Sequence, residues 1–211
     1  MGLVVSPQSQ LQTIYLYPVP SSTIAATSSR PTLSVRELTH PDIQHIASYW
    51  VDSPAEHLIA MGVDLAKLPA REDFSNMLAS QLALPLEERR AYALIWLVDD
   101  VPVGYCNVNP MQFGAEANMH LHFWKAEHRK RGLGVPLVRL SLPWFFSRLQ
   151  LQRLICEPYA HNPAPNKALE RLGFAFERSY VTVPGSINTE QEVKRWVLTR
   201  EAFEAMGLPN P

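Results

Sequence analysis

The chain has 211 residues, a size typical of one domain or of one domain with a tail. Hydrophobic residues make up 46% of it, enough for an ordinary globular core, and the formal net charge is -1 at pH 7. This balance excludes the overall basic field that holds nucleic acid or an anionic membrane, and no apolar run is long enough to cross a bilayer.

The N-terminal part of the chain reads as an arm followed by a helical segment. Residues 1–31 are rich in Ser, Thr, Pro and Gln, with one short strand predicted at 11–17, and the domain proper is predicted to span 32–211. A first strand is expected just after Thr32. Apolar residues at three-to-four spacing and punctuation by proline then predict helices at 42–50, 54–61 and 71–83.

The remainder of the domain alternates strands and helices. Strands are predicted at 92–98 and 101–108, joined as a hairpin at Asp99 and Asp100, and then at 118–124, 153–157, 174–183 and 193–199. Helices are predicted at 132–149 and at 166–172, the latter ending at Gly173. Hairpins combined with one strand–helix–strand crossover predict an α+β fold with a mixed, mostly antiparallel sheet and helices on both faces.

One segment between a strand and a helix has the features of a phosphate site. Glycines let the backbone approach a ligand closely, the helix N-terminus carries a positive partial charge, and basic side chains add mobile positive charge. The spacing is neither that of a P-loop nor that of a dinucleotide fingerprint. The segment consists of Arg129, Lys130, Arg131, Gly132, Leu133 and Gly134.

This R-x-x-G-x-G pattern resembles the acyl-CoA pyrophosphate loop of the GNAT superfamily of N-acetyltransferases. A second stretch, NPAPNKALERLGF at 162–174, resembles the N-x-x-S-x-x-x-L-x-x-x-G-F motif of the same superfamily. That version is familiar in the branch that acetylates ribosomal-protein N-termini and related amines. The resemblance covers about 91–200 clearly and 32–90 more weakly.

The resemblance implies acetyl-CoA as cosubstrate, bound where the strand ending at Phe123 and Trp124 splays from the strand at 153–157. Backbone amides of 131–134 would hold the pyrophosphate, and a backbone amide near Phe123 would polarise the thioester carbonyl. Asn162 would contact the pantetheine or line the acceptor side, and Asn166 would contact the CoA side. The Ser of the motif is replaced by Pro165, so another proton donor is expected, with Tyr159, Tyr180 and a bound water as candidates.

Amide formation from an ammonium group also needs a base. The leading candidates are His120 and His122, which lie two apart on a strand and so point to the same face, and Glu157 at a strand end. Glu116 and His161 are further candidates. A zinc site built on the two histidines with His128 or Glu127 is the weaker alternative, because no metal-binding motif accompanies them, and we expect no metal.

The acceptor is predicted to be a small-molecule or peptide amine, held by the helices at 42–83 and the loop at 180–187. Acidic residues in the first of these regions would favour a cationic amine. The sequence leaves two rival functions open: a catalytically silent acyl-CoA-binding sensor or interaction module, and a structural partner with a degenerate loop. Candidate acceptor-side residues are Tyr49, Trp50, Asp52, Glu56, His57 and Asp64.

The two cysteines, Cys106 and Cys156, lie far apart in sequence and predict buried free thiols rather than a disulfide. With no secretory signal visible, they favour a cytoplasmic protein. No nucleic acid or membrane partner is expected. The sequence leaves open whether the chain forms a homodimer.

Overall fold

A computed structural model describes residues 31–129 and 131–210. Residues 1–30, which include the strand predicted at 11–17, lie outside the described residues, as do Lys130 and Pro211. The boundary between arm and domain near Thr32 therefore stays a prediction.

The described chain forms a seven-stranded sheet in the order β1-β2-β3-β4-β5-β7-β6. The strands are β1 Leu33–Glu37, β2 Tyr92–Val98, β3 Val101–Met111, β4 Glu116–Phe123, β5 Arg153–Cys156, β6 Ala175–Thr182 and β7 Gln191–Thr199. The helices are α1 Ile43–Asp52, α2 Ala55–Ala60, α3 Arg71–Ala83, α4 Gly134–Pro143, α5 Pro163–Arg171 and α6 Arg200–Glu204.

The sheet is mixed and mostly antiparallel, which confirms the predicted fold class. Only the β4–β5 pair is parallel, and α4 supplies the crossover that such a pair requires. The β2–β3 hairpin turns at Asp99 and Asp100, whose φ angles of 50° and 61° match the left-handed positions of a tight hairpin turn.

Strand β2 divides the core into two layers, because successive side chains point to opposite faces. Leu94 and Trp96 pack with α4, α5 and α6 on one face. Ala93, Ile95 and Leu97 pack with α1, α2 and α3 on the other. Helices therefore cover both faces, and β2 is buried along almost its whole length, as its continuous apolar run predicts.

Three local features differ from the sequence-based expectations. The helix predicted at 132–149 is an α-helix only to Pro143 and continues as a π-helical turn, Trp144–Arg148, because proline has no N–H for the regular ladder. Helix α5 begins at Pro163 rather than at 166, since the Asn162 side chain caps it. Helix α6 was not predicted, and Thr199 caps its start.

Two observations bear on the classes of site considered above. None of the helices in the described ranges has the length and apolar character needed to span a bilayer. Among residues 31–129 and 131–210, no three His, Cys, Asp or Glu side chains converge in a metal-binding arrangement.

Candidate functional site

Strands β4 and β5 run side by side for only a short distance and then separate. Their register joins Glu116 with Arg153, Ala117 with Leu154, and Asn118 with Ile155. Beyond these pairs β4 continues to Phe123 while β5 stops at Cys156, so the end of β4 bonds to β3 alone. This is the splayed strand pair that was predicted. It leaves an open strand edge to which an extended ligand can hydrogen-bond.

The glycine loop lies just past this opening. Gly132 has a φ of +74°, a conformation that L side chains rarely adopt, although an added Cβ would meet no atom within 4 Å. Backbone geometry rather than space therefore requires glycine there. Helix α4 begins at Gly134, and no side chain of the described residues caps its first turn. The first N–H groups of a helix have no partner within it and the helix dipole is positive there, so this end of α4 has the chemistry of an anion site.

The Arg129 guanidinium does not extend freely beside this loop. Its Nη2 atom lies 2.8 Å from Nε2 of His57 on α2 and donates to the carbonyl oxygen of Phe123 at 3.2 Å. The loop is thereby connected both to the end of β4 and to helix α2. His57 was placed in the acceptor region from the sequence, but no motif signalled its contact with Arg129.

His120 is held in one tautomer by the backbone. Its Nε2 lies 2.8 Å from the carbonyl oxygen of Asn109, which can only accept, so Nε2 carries the proton and Nδ1 carries the lone pair. Burial lowers the pKa of His120, although the Asn109 carbonyl and the charge of Glu157 act in the opposite direction. The ring is therefore neutral near pH 7 and can accept a proton.

His122 lies on the same face of β4 but in an aromatic pocket. Its ring stacks on Tyr105, with centroids 4.7 Å apart, and contacts Tyr49 and Trp50. Its Nδ1 atom is buried and has no hydrogen-bond partner among the described residues. Burial, followed by the neighbouring His120 and His57, holds the pKa of His122 well below its usual range. The structure thus brings both predicted histidines to one face, in different surroundings.

Glu157 lies directly after β5 and is engaged by two side chains. Its Oε1 accepts a hydrogen bond from Arg195 Nη1 at 2.8 Å and another from the hydroxyl of Tyr180. The side chains of Glu157 and Arg195 are only 10% and 16% exposed, so this ion pair is poorly screened by water. Burial and the hydrogen bond to Glu157 raise the pKa of Tyr180. Arg195 was not predicted, because a single arginine on a strand carries no signal of its partner.

Phe123 and Trp124 close the end of β4 on opposite faces of the sheet. The centroids of the Phe123 and Trp96 rings lie 5.1 Å apart, in the layer under α4. The Trp124 ring stacks on that of His45 of α1, with centroids 5.1 Å apart. Its Nε1 is buried and has no hydrogen-bond partner in the part of the chain that the structure describes. These two residues anchor the strand end at which the backbone of β4 is open.

The two asparagines of the second motif have different surroundings. Asn162 Oδ1 accepts from the amide of Ala164 and so caps α5. Asn166 is buried, its Oδ1 accepts from the indole of Trp196, and its Nδ2 donates to the carbonyls of Tyr159 and Asn162. These bonds tie α5 to β7 and to the end of β5, so the geometry favours a structural role for Asn166 over the cofactor contact expected from the sequence.

Pro165 occupies the first turn of α5. The N–H groups of a first turn have no partner within the helix, so proline is tolerated there. No hydroxyl is available at this position, and the hydroxyls of Tyr159 and Tyr180 are the nearby alternatives that the sequence singled out. Tyr159 is 37% exposed and Tyr180 is half-buried.

The family model of the acetyltransferase (GNAT) domain matches residues 32–175. No curated protein has significant sequence similarity to the chain. Spermidine N-acetyltransferase from Vibrio cholerae, solved with CoA and spermine, has a TM-score of 0.67 at 16% identity, over 82% of this chain and 98% of that one. An uncharacterized protein from Bacillus halodurans has a TM-score of 0.61 at 17% identity, over 83% of this chain and 88% of that one.

A dodecameric structure of the Vibrio cholerae enzyme has a TM-score of 0.64 at 15% identity, over 83% of this chain and 98% of that one. These structural likenesses concern the fold. The family match covers more than half of the chain and agrees with the splayed strands and the glycine loop, so the predicted superfamily and enzyme class are confirmed. The chain belongs to the acetyltransferase (GNAT) family.

Proposed function

We propose that the chain transfers the acetyl group of acetyl-CoA directly to a primary amine of a small molecule or peptide. The observation that carries this proposal is the separation of β4 from β5 immediately before the glycine loop. An extended, pyrophosphate-containing ligand fits this arrangement, since one end offers an unpaired strand edge and the other an uncapped helix N-terminus.

Different segments of the chain would bind different parts of acetyl-CoA. The amides of 131–134 would hold the pyrophosphate, with Arg129 and Lys130 nearby. The open edge of β4 would pair with the pantetheine arm, and Asn162 would contact it. A backbone amide near Phe123 would stabilise the negative charge that develops on the thioester oxygen. Bound acetyl-CoA supplies an activated acyl group, and no metal is required.

The proposed proton movements involve two groups of residues. One is His120 with its contact to Asn109, and the other is Glu157 with Tyr180 and Arg195. Nδ1 of His120 takes a proton from the acceptor ammonium, and the freed amine attacks the thioester carbonyl. The C–N bond forms and the C–S bond breaks, so a thiolate leaves and must be protonated. The nitrogen gives up its second proton as the amide forms, and this proton restores the hydroxyl of the donor that protonates the thiolate. Tyr180, whose raised pKa keeps its hydroxyl protonated, is the donor we favour over Tyr159 or water. His122 and Glu157 position these groups. The Nδ1 atom of His122 is buried among aromatic rings, and Glu157 is engaged by Arg195 and Tyr180, so neither exchanges a proton with an amine as readily as His120.

Binding is tested by titrating acetyl-CoA into the protein by calorimetry, with Gly132→Glu as the loop variant. Gly114→Glu is the matched control, because Gly114 has a similar φ of +73° and an equally open surrounding but lies in the β3–β4 turn. We expect binding by the wild type and the control and loss of binding by the loop variant. No binding by the wild type, or equal loss in both variants, would contradict the assignment of the loop.

Turnover is tested by a screen of amines with free thiol as the readout. Spermidine is included because an enzyme of similar fold acts on it, together with amino acids, amino sugars and peptide N-termini. Thiol release that depends on one class of amine would identify the acceptor. Binding of acetyl-CoA without release in the presence of any amine would favour the silent acyl-CoA-binding module, which Pro165 keeps as the second candidate.

Two further proposals concern the setting of the reaction. The free thiols of Cys106 and Cys156 are buried, and we place the enzyme in the reducing cytoplasm. We also propose a homodimer, since β6 is an edge strand whose residues are largely exposed. Sedimentation equilibrium of the full chain tests the second proposal, and a monomer at micromolar concentration would contradict it.

A further inference from the structure

Four residues form a continuous chain of polar contacts from the first helix to the end of β4. The hydroxyl of Tyr49 on α1 lies 3.2 Å from Nε2 of His57 on α2. The Arg129 guanidinium lies 3.1 Å from Nδ1 and 2.8 Å from Nε2 of the same ring. The guanidinium also donates to the carbonyl of Phe123 at 3.2 Å. The chain of contacts therefore joins the acceptor-side helices to the cofactor opening.

The chemistry of these groups sets the charge state of His57. Arginine has only donors, so the ring nitrogen that it contacts must carry a lone pair. A neutral imidazole has one such nitrogen, so the ring can accept from Arg129 at Nε2 or at Nδ1 but not at both. An imidazolium would have none and would also repel the guanidinium. Burial lowers the pKa of His57, and the charge of Arg129 lowers it further, so the accepting form is present near pH 7.

The far end of this chain of contacts is the residue whose N–H the proposed reaction uses. Phe123 is the last residue of β4, and its amide is the proposed donor to the thioester oxygen. Arg129 holds the carbonyl of the same residue and begins the segment that leads into the glycine loop. A guanidinium that His57 holds in place therefore constrains both the strand end and the loop, while Tyr49 is 5% exposed and forms part of the packed core.

We propose that His57 is a positioning residue that holds Arg129 against the end of β4 and thereby couples the acceptor-side helices to the cofactor site. The inference rests on the proposed function, because it assumes that acetyl-CoA occupies the opening. It goes beyond that function in assigning a role to a residue of α2 that the sequence placed only among the acceptor-side candidates.

The main test measures the affinity for CoA by calorimetry in His57→Leu and His57→Gln, with His40→Gln as the control at an exposed histidine. Loss of a hydrogen bond to a charged group should weaken CoA binding about tenfold in His57→Leu. The Gln variant, whose amide oxygen can accept from Arg129, should recover most of the affinity. The control should match the wild type. Thermal denaturation establishes that each variant is folded.

A double-mutant cycle separates positioning of Arg129 from a general structural effect. If His57 acts through Arg129, His57→Leu should weaken CoA binding in the wild type but should have almost no further effect in Arg129→Met. Equal effects in both backgrounds would overturn the inference, even if His57→Leu proves less stable.

The dependence of CoA affinity on pH is a readout that packing alone would not change. The groups that face His57 are Tyr49 from α1, Arg129 from the loop and His122 from β4. The pKa of His57 lies below its usual range. As the pH falls through that pKa, the wild type should lose affinity for CoA more steeply than His57→Gln. Protonation of CoA itself affects both proteins alike and cancels in the comparison.

The outcomes distinguish this inference from the function on which it rests. If the wild type does not bind CoA at all, the proposed function fails and the inference fails with it. If the wild type binds, and His57→Leu binds equally well at neutral pH, the inference alone is overturned. Three results together would establish the inference. CoA affinity falls in His57→Leu, it recovers in His57→Gln, and His57→Leu has no further effect in the Arg129→Met background.

Discussion

The Nε2 atom of His120 lies 2.8 Å from the carbonyl oxygen of Asn109, and this contact determines which ring nitrogen is free. With the proton held at Nε2, Nδ1 carries the lone pair that a general base needs. His122, two residues further along β4, instead has its Nδ1 buried among aromatic rings. The two histidines share one face of the strand, yet only His120 has the fixed tautomer that suits a general base.

His120→Gln should therefore lower kcat about a hundredfold or more, the range for loss of a general base, while CoA affinity stays close to that of the wild type. Steady-state kinetics with the acceptor found in the screen, together with calorimetry, measure both. Because burial lowers the pKa of His120 below its ordinary value of about 6.5, wild-type kcat/KM should be constant near neutral pH. It should fall as the pH drops through that lowered pKa. An unchanged acidic limb in the variant would contradict this assignment.

Tyr180→Phe should lower kcat about a hundredfold, because the thiolate would lose its proton donor. Tyr159→Phe is the matched comparison, since it removes the other candidate hydroxyl, and it should leave kcat nearly unchanged. Initial rates at saturating acetyl-CoA measure the difference. A loss confined to the Tyr159 variant would assign that residue instead, and full activity in both would point to water as the donor.

Asp42→Asn should lower the free energy of unfolding at pH 7 by about 1–2 kcal/mol, with the exposure of Arg36 limiting the effect. Burial opposes ionisation of Asp42, but hydrogen bonds from Arg36 and Thr39 outweigh it and lower its pKa to about 2. Its folded pKa is thus below the unfolded value. The stabilisation is present above the unfolded pKa and is lost as pH falls through the folded one. Urea denaturation of both proteins should therefore converge near pH 2.

Tyr105→Phe should lower the free energy of unfolding by about 1–3 kcal/mol, the cost of leaving a buried donor without a partner. The indole of Trp50 donates to the Tyr105 hydroxyl at 2.7 Å in the layer under α1, and Tyr105 is 3% exposed. Urea denaturation measures the change. Tyr159→Phe, at an exposed tyrosine, is the control and should change stability by a few tenths of a kcal/mol at most. Equal stabilities for the Tyr105 variant and the wild type would show that the indole finds another partner.

Many elements of the fold could be predicted because their signals are local. The β2–β3 hairpin follows from two apolar runs around Asp99 and Asp100, and alternation along β4 sets its histidines on one face. The loop at 131–134 was located from its glycines and the basic residues around them, and Gly132 does adopt a positive φ. Period, turn residues and helix starts act over a few residues, so they are readable without a structure.

The side-chain partners at the site were not predictable in the same way. His57 and Arg129 lie 72 positions apart, and Glu157 and Arg195 lie 38 apart. Asn166 illustrates the consequence, because its motif suggested a cofactor contact while its amide is bonded to Trp196 and to two backbone carbonyls. A motif identifies a residue and its element, but it does not identify the atoms that the side chain meets.

The sequence by itself thus determined most of the order of elements, the enzyme family and the position of the glycine turn before α4, since each depends on patterns within short segments. Only the tertiary structure decided that Arg129 turns toward α2, that His120 has one free nitrogen and that Glu157 is paired with Arg195. The physical reason is that hydrogen bonding and pKa depend on distances and burial created when distant segments pack together.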